Sequence, residues 1–488
     1  MSTTLENLTS LAKRRGFIYQ GSEIYGGLAG TWDYGPLGVQ LKRNMTNLWW
    51  KMFVENRSDM YGLDSAILMN RKVWEASGHT GAGFADPLVE DLETRKRFRA
   101  DHLLEENGIE DAEAMTHEQM DQVIEEKGIK SPDGNKLSKV RTFNMMFKTT
   151  VGPISSDVDE LDLTSLKRAV DRSVNGSSTE AQAWIEIAQL RIEQGKTDRD
   201  ESKAYLRPET AQGMFVNFKN VVDSFYPDVP FGIAQIGKNF RNEISPREFI
   251  FRVREFEIAE LEYFIEEENW ESEFKNWMES FYNWCETIGL EKAKIHELEV
   301  PKEDRAHYSK RTVDFEYEFD FGIKEIGAVA YRTNFDLSNH AKHSGAKLEY
   351  RPKGGGEAYV PHVIEPTFGV DRFLLAVLSS SYKEQDGRTW LALPEILAPV
   401  KMAVTPLARN KPELVAKARE VYEKLQAKHG NVEWSAGGNI GKFYARNDEI
   451  GTPKCVTIDF ETLGNDAVTV RDRDTAEQAV VPISDLVN

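Results

Sequence analysis

The stretch Phe231 to Ile265, FGIAQIGKNFRNEISPREFIFRVREFEIAELEYFI, reads as two strands joined by a long polar loop. In the first strand Ile233, Gln235, Gly237, Asn239, Arg241 and Glu243 share a face by the period-two rule. In the second, Arg252, Arg254, Phe256, Ile258, Glu260 and Glu262 do so. A buried strand face rarely carries arginines, glutamates and an aromatic together unless something polar lies on it. Arginine forks onto phosphate oxygens, phenylalanine covers a flat base, and a carboxylate receives an ammonium. The competing reading is an exposed face of cross-strand ion pairs. Alternation alone does not separate the two.

The wording does. FRNEISPREFIFRVREF, Phe240 to Phe256, resembles motif 2 of the class II aminoacyl-tRNA synthetases in the form found in glycyl-tRNA synthetases. Working outward, LGVQLKRNMTNLWWKMFVENR after Pro36 carries an apolar stripe of Leu37, Leu41, Met45, Leu48, Trp49, Met52 and Phe53. With the strand-like SAILMN that follows, it resembles motif 1, which in that family builds a dimer interface, so a homodimer is implied. Val363 to Leu378, VIEPTFGVDRFLLAVL, resembles motif 3: a strand end, a glycine turn, then a helix starting near Arg372. AYLRPETAQG reads as the opening of a helix, with Pro208 at its first position and Glu209 beside the positive end of its dipole. FRADH, Phe98 to His102, and FNMMFKTTVGP, Phe143 to Pro153, also match the family.

Other stretches are less informative. Residues 4 to 15 read as a helix with Leu5, Leu8, Leu11 and Ala12 on one face and Gly16 past its end. The loop GSEIYGGLAGTWDYGPLG has six glycines but lacks the GxxxxGK[ST] pattern of a phosphate-cradling loop. Some relatives carry cysteines within 103–140, where this chain has SPDGN at Ser131 to Asn135, so no structural zinc is expected there. Ile154 to Lys203 departs from the family pattern and reads as a polar surface insertion with helical stretches at 165–174 and 179–194. From Pro399 strands and helices alternate: KMAVTPL, KPELVAKAREVYEKLQAKHG, NVEWSAG, GKFYARNDEIG, KCVTIDF. This segment resembles the anticodon-binding domain of subclass IIa synthetases. The expected fold is therefore α+β: a class II catalytic core, an antiparallel sheet flanked by helices, over 1–397, and an α/β anticodon-binding domain over 398–488. Within the core, motif 1 spans about 30–70, motif 2 231–265 and motif 3 363–378. The motifs sit in antiparallel strands rather than a βαβ alternation, which argues against a Rossmann-type site.

Composition constrains the rest. At 488 residues the chain exceeds one compact core. No run approaches the ~18 apolar residues of a membrane span, and MSTTLENLTSLAKRRGF lacks an apolar signal region. Cys285 and Cys455 stand far apart, which points to a reducing, cytoplasmic setting. The net charge is −19, but the tail from Ala398 holds 12 Lys and Arg against 13 Asp and Glu, so it is far less acidic than the remainder. Local patches, not totals, bind phosphates.

The resemblance implies ATP-dependent activation of glycine to glycyl-adenylate and transfer to the 3′ end of tRNA(Gly). A carboxylate is ionised at neutral pH, so the first step requires alignment and charge stabilisation at phosphorus rather than a base. The sequence shows no Ser–His–Asp or Cys–His pattern. By family match Arg241 and Arg372 are the catalytic residues; Arg241 holds the α-phosphate, and Arg252 and Arg372 hold the distal phosphates. Phe256 stacks on adenine, with Glu243 at the adenine amino group or the terminal adenosine. Asn242, Phe251, Val253, Arg254 and Glu255 complete the motif 2 contribution to ATP, and Ile326, Gly369, Val370 and Asp371 the contribution of the later strands. Glu325 is the candidate ligand for magnesium bound to ATP, a hard oxygen donor for a hard ion. Around glycine the match places Glu209, Glu260 and Glu365 at the ammonium, Arg332 near the carboxylate and Thr367 beside the α-carbon. Arg99, Phe256, Glu257, Ile258, Ala259, Pro366, Phe368 and Gly369 are assigned to the same pocket. Arg446, Arg471 and Arg473 are candidate tRNA contacts. Two other classes remain open: an adenylating ligase with a non-tRNA acceptor, and a catalytically inactive accessory subunit of the same fold. The anticodon-like tail argues against the first, and the retained Arg241 and Arg372 against the second.

Overall fold

The computed structural model describes residues 3–81, 84–109, 112, 115–152, 202–302, 305–306, 308–436 and 438–487. The expected insertion at 154–203 lies outside them, apart from Ser202 and Lys203. The chain divides into two units: Met1–Ser65, Thr210–Lys238 and Glu243–Asn488 form one, Ala66–Glu209 and Asn239–Asn242 the other.

The largest sheet of the first unit has seven strands: β1 (Met60–Gly62), β2 (Phe231–Phe240), β3 (Glu255–Ile265), β4 (Ile295–Glu299), β5 (Arg311–Phe319), β6 (Gly322–Thr333) and β7 (His362–Gly369). Their order is β4–β5–β6–β7–β3–β2–β1. Pairing is antiparallel from β4 to β3, and β2 runs parallel to β1. The helices are α1 (Thr3–Arg15), α2 (Pro36–Trp50), α3 (Ala211–Phe225), α4 (Trp270–Thr287), α5 (Phe335–Ser344) and α6 (Val370–Ser381). Alternation divides β3 cleanly. Ala259, Leu261, Tyr263 and Ile265 enter the main core, as do Ile364 and Phe368 of β7. That core is closed by Phe274, Trp277, Phe281 and Trp284 of α4, whose spacing of three and four puts them on one helical face. Phe264 and Val363 point the other way, into a second cluster under Met214, Phe215 and Phe218 of α3. Along that second face the sheet changes from apolar to polar, at Glu262, Glu260, Glu365 and Thr367.

Motif 1 requires two corrections. Pro36 does open α2, but Trp49 and Phe53 are 1% and 2% exposed within a single chain and stack against Phe368, so they are core residues rather than intermolecular contacts. The strand that follows α2 into the sheet is β1; of SAILMN only Leu68–Met69 is a strand, and it belongs to the second unit, where it pairs with Lys203–Leu206. Asn70 then caps a short helix by accepting from Lys72 N.

The tail forms β8 (Met402–Pro406), α7 (Pro412–His429), β9 (Val432–Trp434), α8 (Ile440–Glu449), β10 (Lys454–Ile458), β11 (Ala467–Asp472) and β12 (Gln478–Pro482), in the sheet order β9–β8–β10–β11–β12. The α/β alternation read from sequence is present, and Leu414, Ala418, Val421 and Leu425 seat α7 on the sheet.

In the second unit, Ala85–Glu90 pairs with Arg97–Arg99 and Arg141–Asn144. The SPDGN turn closes on Asp91, whose carboxylate accepts from Ser131 Oγ (2.6 Å), Asn135 Nδ2 (3.1 Å) and the amides of Glu93 and Thr94. Burial pushes the Asp91 carboxyl up, but these donors outweigh it and hold it well below the usual range. A depressed carboxyl stabilises the fold above its unfolded pKa of about 3.9 and loses that contribution as pH falls. Asp91→Asn turns one acceptor into a donor facing Asn135. It is expected to lower the melting temperature by several degrees at neutral pH, and calorimetry should find the difference narrowing below about pH 4.

Candidate active site

On the polar face of the first unit Glu260 is pinned at both oxygens. Oε2 accepts from the Thr210 amide (3.1 Å) and hydroxyl, and Oε1 from Thr367 Oγ1 (3.1 Å). Helix α3 opens at Ala211 with Thr210 as its cap residue, so Pro208 and Glu209 precede it. The carboxylate at the helix's positive end is therefore Glu260, not Glu209 as the sequence suggested. Arg332, 1% exposed, forks onto Asp336 (Nε–Oδ2 2.8 Å, NH2–Oδ1 2.9 Å) and reaches Glu365 Oε1 with NH1 at 2.5 Å. Its guanidinium carbon lies 3.7 Å from the centre of the Tyr308 ring. Across β6, Ala328 and Ala330 sit opposite Thr367 and Glu365, so small side chains flank the carboxylates. One further residue joins them. Glu262 is fully buried, neither of its oxygens has a hydrogen-bond partner, and its carboxylate oxygen lies within 4.8 Å of those of Glu260 and Glu365. Alternation placed Glu262 on this face, but no motif assigned it a role.

Beside this cluster, positive and negative groups hold one another. Arg372 NH1 donates to Glu325 Oε2 (2.8 Å) and to its carbonyl (3.0 Å), and its guanidinium covers Phe251 at 4.6 Å. Arg252 donates to Glu243 Oε2 at 2.9 Å. Asp314, which the sequence reading passed over, is pushed up to about 7 by burial and by the charges of Glu325 and Glu316, against Arg372. Arg254 is committed to backbone, at Glu243 O (3.0 Å) and Ala29 O (2.7 Å), and its amide donates to Gly30 O. Gly30, at φ +74°, lies so close to Pro246 that a Cβ would come within 2.7 Å of it. The glycine-rich loop thus braces the motif 2 loop through its carbonyls.

Several expected contacts are placed elsewhere. Strand β3 begins at Glu255, so Arg252 and Arg254 precede it and do not extend its polar face. Phe256 and Ile258 share the face of Glu260, while Ala259, Phe368, Ile326 and Val370 are in the main core. Pro366 alternates to the same side as Phe368 and Val253 is buried, so these side chains are packing residues. Glu257 is held by Lys42 Nζ at 2.6 Å, its amide donates to Asp371 Oδ2 (2.6 Å), and Tyr34 donates to Asp371 Oδ1. Glu257 and Asp371 therefore fasten β3 to α2 and α6. Glu255 forms an exposed pair with Lys238. Gly369 precedes α6 with an ordinary extended backbone.

In the second unit Arg241 Nε donates to Pro208 O (3.3 Å) and its guanidinium lies 5.5 Å from the centre of the Phe84 ring; the Asn242 amide donates to Met145 O. Arg99 binds Asp101 (Nε–Oδ1 3.0 Å) and Asp86 (3.3 Å). Glu209 faces His79 Nε2 at 3.2 Å, and His79 Nδ1 lies 2.8 Å from Ser77 Oγ. This Ser–His–Glu chain, not legible in the sequence, is buried at Ser77, so the hydroxyl orients the ring rather than presenting a nucleophile.

The tail arginines divide. Arg471 forks onto Asp448 (2.8 and 3.0 Å), which also receives Arg388 at 3.0 Å, and Arg473 is taken by Gly451 O (2.9 Å) and Asp474. Both are buried, which removes them as RNA contacts. Arg446, paired with Glu433, remains exposed. Among the described residues no helix is long and apolar enough to cross a membrane.

A mostly antiparallel sheet with motif 2 and motif 3 strands side by side, a charged face and an α/β tail with its own five-stranded sheet define a class II aminoacyl-tRNA synthetase. Residues 191–381 match the tRNA synthetase class II core domain (G, H, P, S and T), and residues 401–488 match the anticodon binding domain. Giardia lamblia prolyl-tRNA synthetase, solved with prolyl-adenylate, shares the fold at a TM-score of 0.63 and 14% identity, over 99% of this chain and 76% of that one. The chain is 44% identical to the glycine–tRNA ligase of Clostridium acetobutylicum over 99% of its own length and 97% of the relative's. It is also 44% identical to that of Geobacillus thermodenitrificans, over 100% and 97%. It belongs to the glycine–tRNA ligase family.

Proposed function

We infer that the protein activates glycine with ATP and transfers it to tRNA(Gly), and that the polar face of β3, β6 and β7 is its glycine pocket. The observation that carries the pocket is the convergence of Glu260, Glu365 and Arg332, all buried, beside Thr367. Glu260 and Glu365 would receive the ammonium, Arg332 would lie near the carboxylate, and the Thr367 side chain would occupy the space any α-substituent needs. Arg99, Glu209, Arg241 and Asn242 carry roles by resemblance alone. On the phosphate side Arg252, Arg372 and Phe256 remain the proposed ATP contacts. The pairs Arg252–Glu243 and Arg372–Glu325 keep these cations oriented until phosphate oxygens replace their carboxylate partners. Glu325, a partly exposed carboxylate beside Asp314 and Glu316, offers oxygen donors that suit magnesium, which when bound would neutralise charge on the phosphates. Residues 1–397 would form the catalytic domain and 398–488 the anticodon-binding domain, with Arg446 an RNA contact. Aminoacylation of total tRNA with each amino acid in turn tests the whole reading: charging confined to glycine is expected, and charging with any other amino acid, or none, overturns it.

Selectivity has its own test. Thr367→Gly removes the wall and also the hydrogen bond to Glu260. Alanine-dependent pyrophosphate exchange should become detectable, while the glycine KM rises about fivefold for the lost bond of about 1 kcal/mol. Complete rejection of alanine by the folded variant would place the wall elsewhere.

We also propose a homodimer. With Trp49 and Phe53 committed to the core, the apolar groups left exposed in and before this region include Tyr19, Ile24, Tyr25, Leu28 and Val39. The protein is expected to sediment as a dimer and Tyr25→Glu to shift it toward monomer. A fully active monomer at micromolar concentration contradicts the assembly.

A further inference from the structure

We propose that Glu262 balances the charge of the glycine pocket: it holds a proton while the pocket is empty and releases it to solvent when the substrate ammonium arrives. The inference rests on reading Glu260 and Glu365 as ammonium ligands.

Glu262 is two residues from Glu260 on β3, on the same face, and is fully buried. Its situation differs from that of its neighbours. Glu260 is bound by Thr210 and Thr367, and Glu365 by Arg332, yet both oxygens of Glu262 lack a hydrogen-bond partner. The carboxylate oxygens of the three residues nevertheless converge within 4.8 Å. Among the described residues the charged groups that act most on Glu262 are Glu365 on β7, Arg332 on β6, Glu260 on its own strand and Asp336 on α5. Thr210 and Gln212, where α3 meets the strand, are neutral. Arg332 is the single cation in the set, and it is bound to Asp336 and Glu365.

An ionised carboxylate that is dry, unpaired and surrounded by three others is strongly disfavoured. Burial, then Glu365, Glu260 and Asp336, push the Glu262 carboxyl well above its usual range, with Arg332 alone opposing. The empty pocket is thus stable only with that carboxyl neutral. An ammonium group brings a positive charge and three N–H donors, which reverses the balance: the carboxyl ionises against the new cation, and its proton passes to the buffer. At the carboxylate cluster one ammonium enters and one proton leaves, so the charge there is unchanged, while the carboxylate of the zwitterion faces the Arg332 side.

A binding event that expels one proton tightens about tenfold per pH unit below the pKa of the group concerned. Titration calorimetry of glycine into the full-length protein, between about pH 6 and 8 in two buffers of different ionisation enthalpy, measures both quantities. The wild type is expected to release close to one proton per glycine at the acidic end, with the dissociation constant falling nearly tenfold per pH unit. Glu262→Gln imitates the neutral form. It should fold with an equal or higher melting temperature, release no proton and bind glycine with an affinity flat in pH. Wild-type binding without a buffer-dependent heat overturns the inference, as does a release that Glu262→Gln leaves intact, which would belong to another group. Glu260→Gln is the separate control. If it binds glycine like the wild type, the pocket itself is misread, a result that owes nothing to proton counting.

Discussion

Arg241→Ala is expected to lower glycine-dependent pyrophosphate exchange by about 10²–10³-fold, the cost of removing one donor aimed at charge that develops in a transition state. The reaction asks little else of the protein. The glycine carboxylate is already a nucleophile at neutral pH, so the barrier lies in bringing one anion to another and in holding the added charge at phosphorus. A guanidinium suits that task because it is always charged and forks onto two oxygens. The substitution removes, among its contacts, a hydrogen bond to Pro208 O and an approach to the Phe84 face, which together contribute about 1–2 kcal/mol. The variant should therefore fold, and its exchange rate should report chemistry. Arg241→Lys, which keeps the charge but loses the fork, should fall between the two. Exchange at the wild-type rate in a folded Arg241→Ala would remove this residue from the mechanism.

The role proposed for that arginine comes from resemblance, because its surroundings are a long, specific wording. Other features were legible from physical periodicity alone. Residues spaced by two divided β3 between core and polar face, and the alternation of strands and helices after Pro399 is present in the tail. Partnership was not legible. Arg471 on a strand looks the same in sequence whether it meets RNA or Asp448, a residue 23 positions earlier that faces it only after folding. Glu257 and Glu260 differ by an odd number of residues, so alternation separates them. The family match overrode that rule and assigned both to glycine, whereas the strand turns Glu257 toward Lys42. Trp49 and Phe53 read as an apolar stripe, and a stripe does not say whether its cover comes from its own chain or from a second copy. The helix α3 begins at Ala211 although Pro208 favours a first helical position, because the chain at Thr210 is held by Glu260 from the neighbouring strand. In each case the missing information was a contact distant in sequence.

Arg332→Met is expected to destabilise the protein by about 3–5 kcal/mol, the usual cost of breaking a buried ion pair by removing one partner. Methionine fills much of the volume of arginine, so the loss comes from charge and not from a cavity. Three N–H groups of Arg332 reach carboxylate oxygens of Asp336 and Glu365 with almost no exposure to water. Without the guanidinium, Asp336 keeps a hydrogen bond from Gln212 at 2.9 Å but no counter-charge, and Glu365 loses its cation while Glu260 and Glu262 remain within 4.8 Å. At about 1–1.5 °C per kcal/mol for a unit of this size, the melting temperature should fall by roughly 5 °C. Glycine activation should fall with it, since the guanidinium that orients Glu365 and is proposed to lie near the substrate carboxylate is gone. A second variant separates the two effects. Arg332→Met combined with Asp336→Leu removes the stranded charge beside the helix, so the pair should be more stable than Arg332→Met alone by more than additivity allows. Glycine activation should stay low in the double variant, because the pocket still lacks its cation. If Arg332→Met melts with the wild type, the ion cluster contributes nothing to the fold; if the double variant recovers glycine activation, Arg332 is scaffold and has no part in holding the substrate.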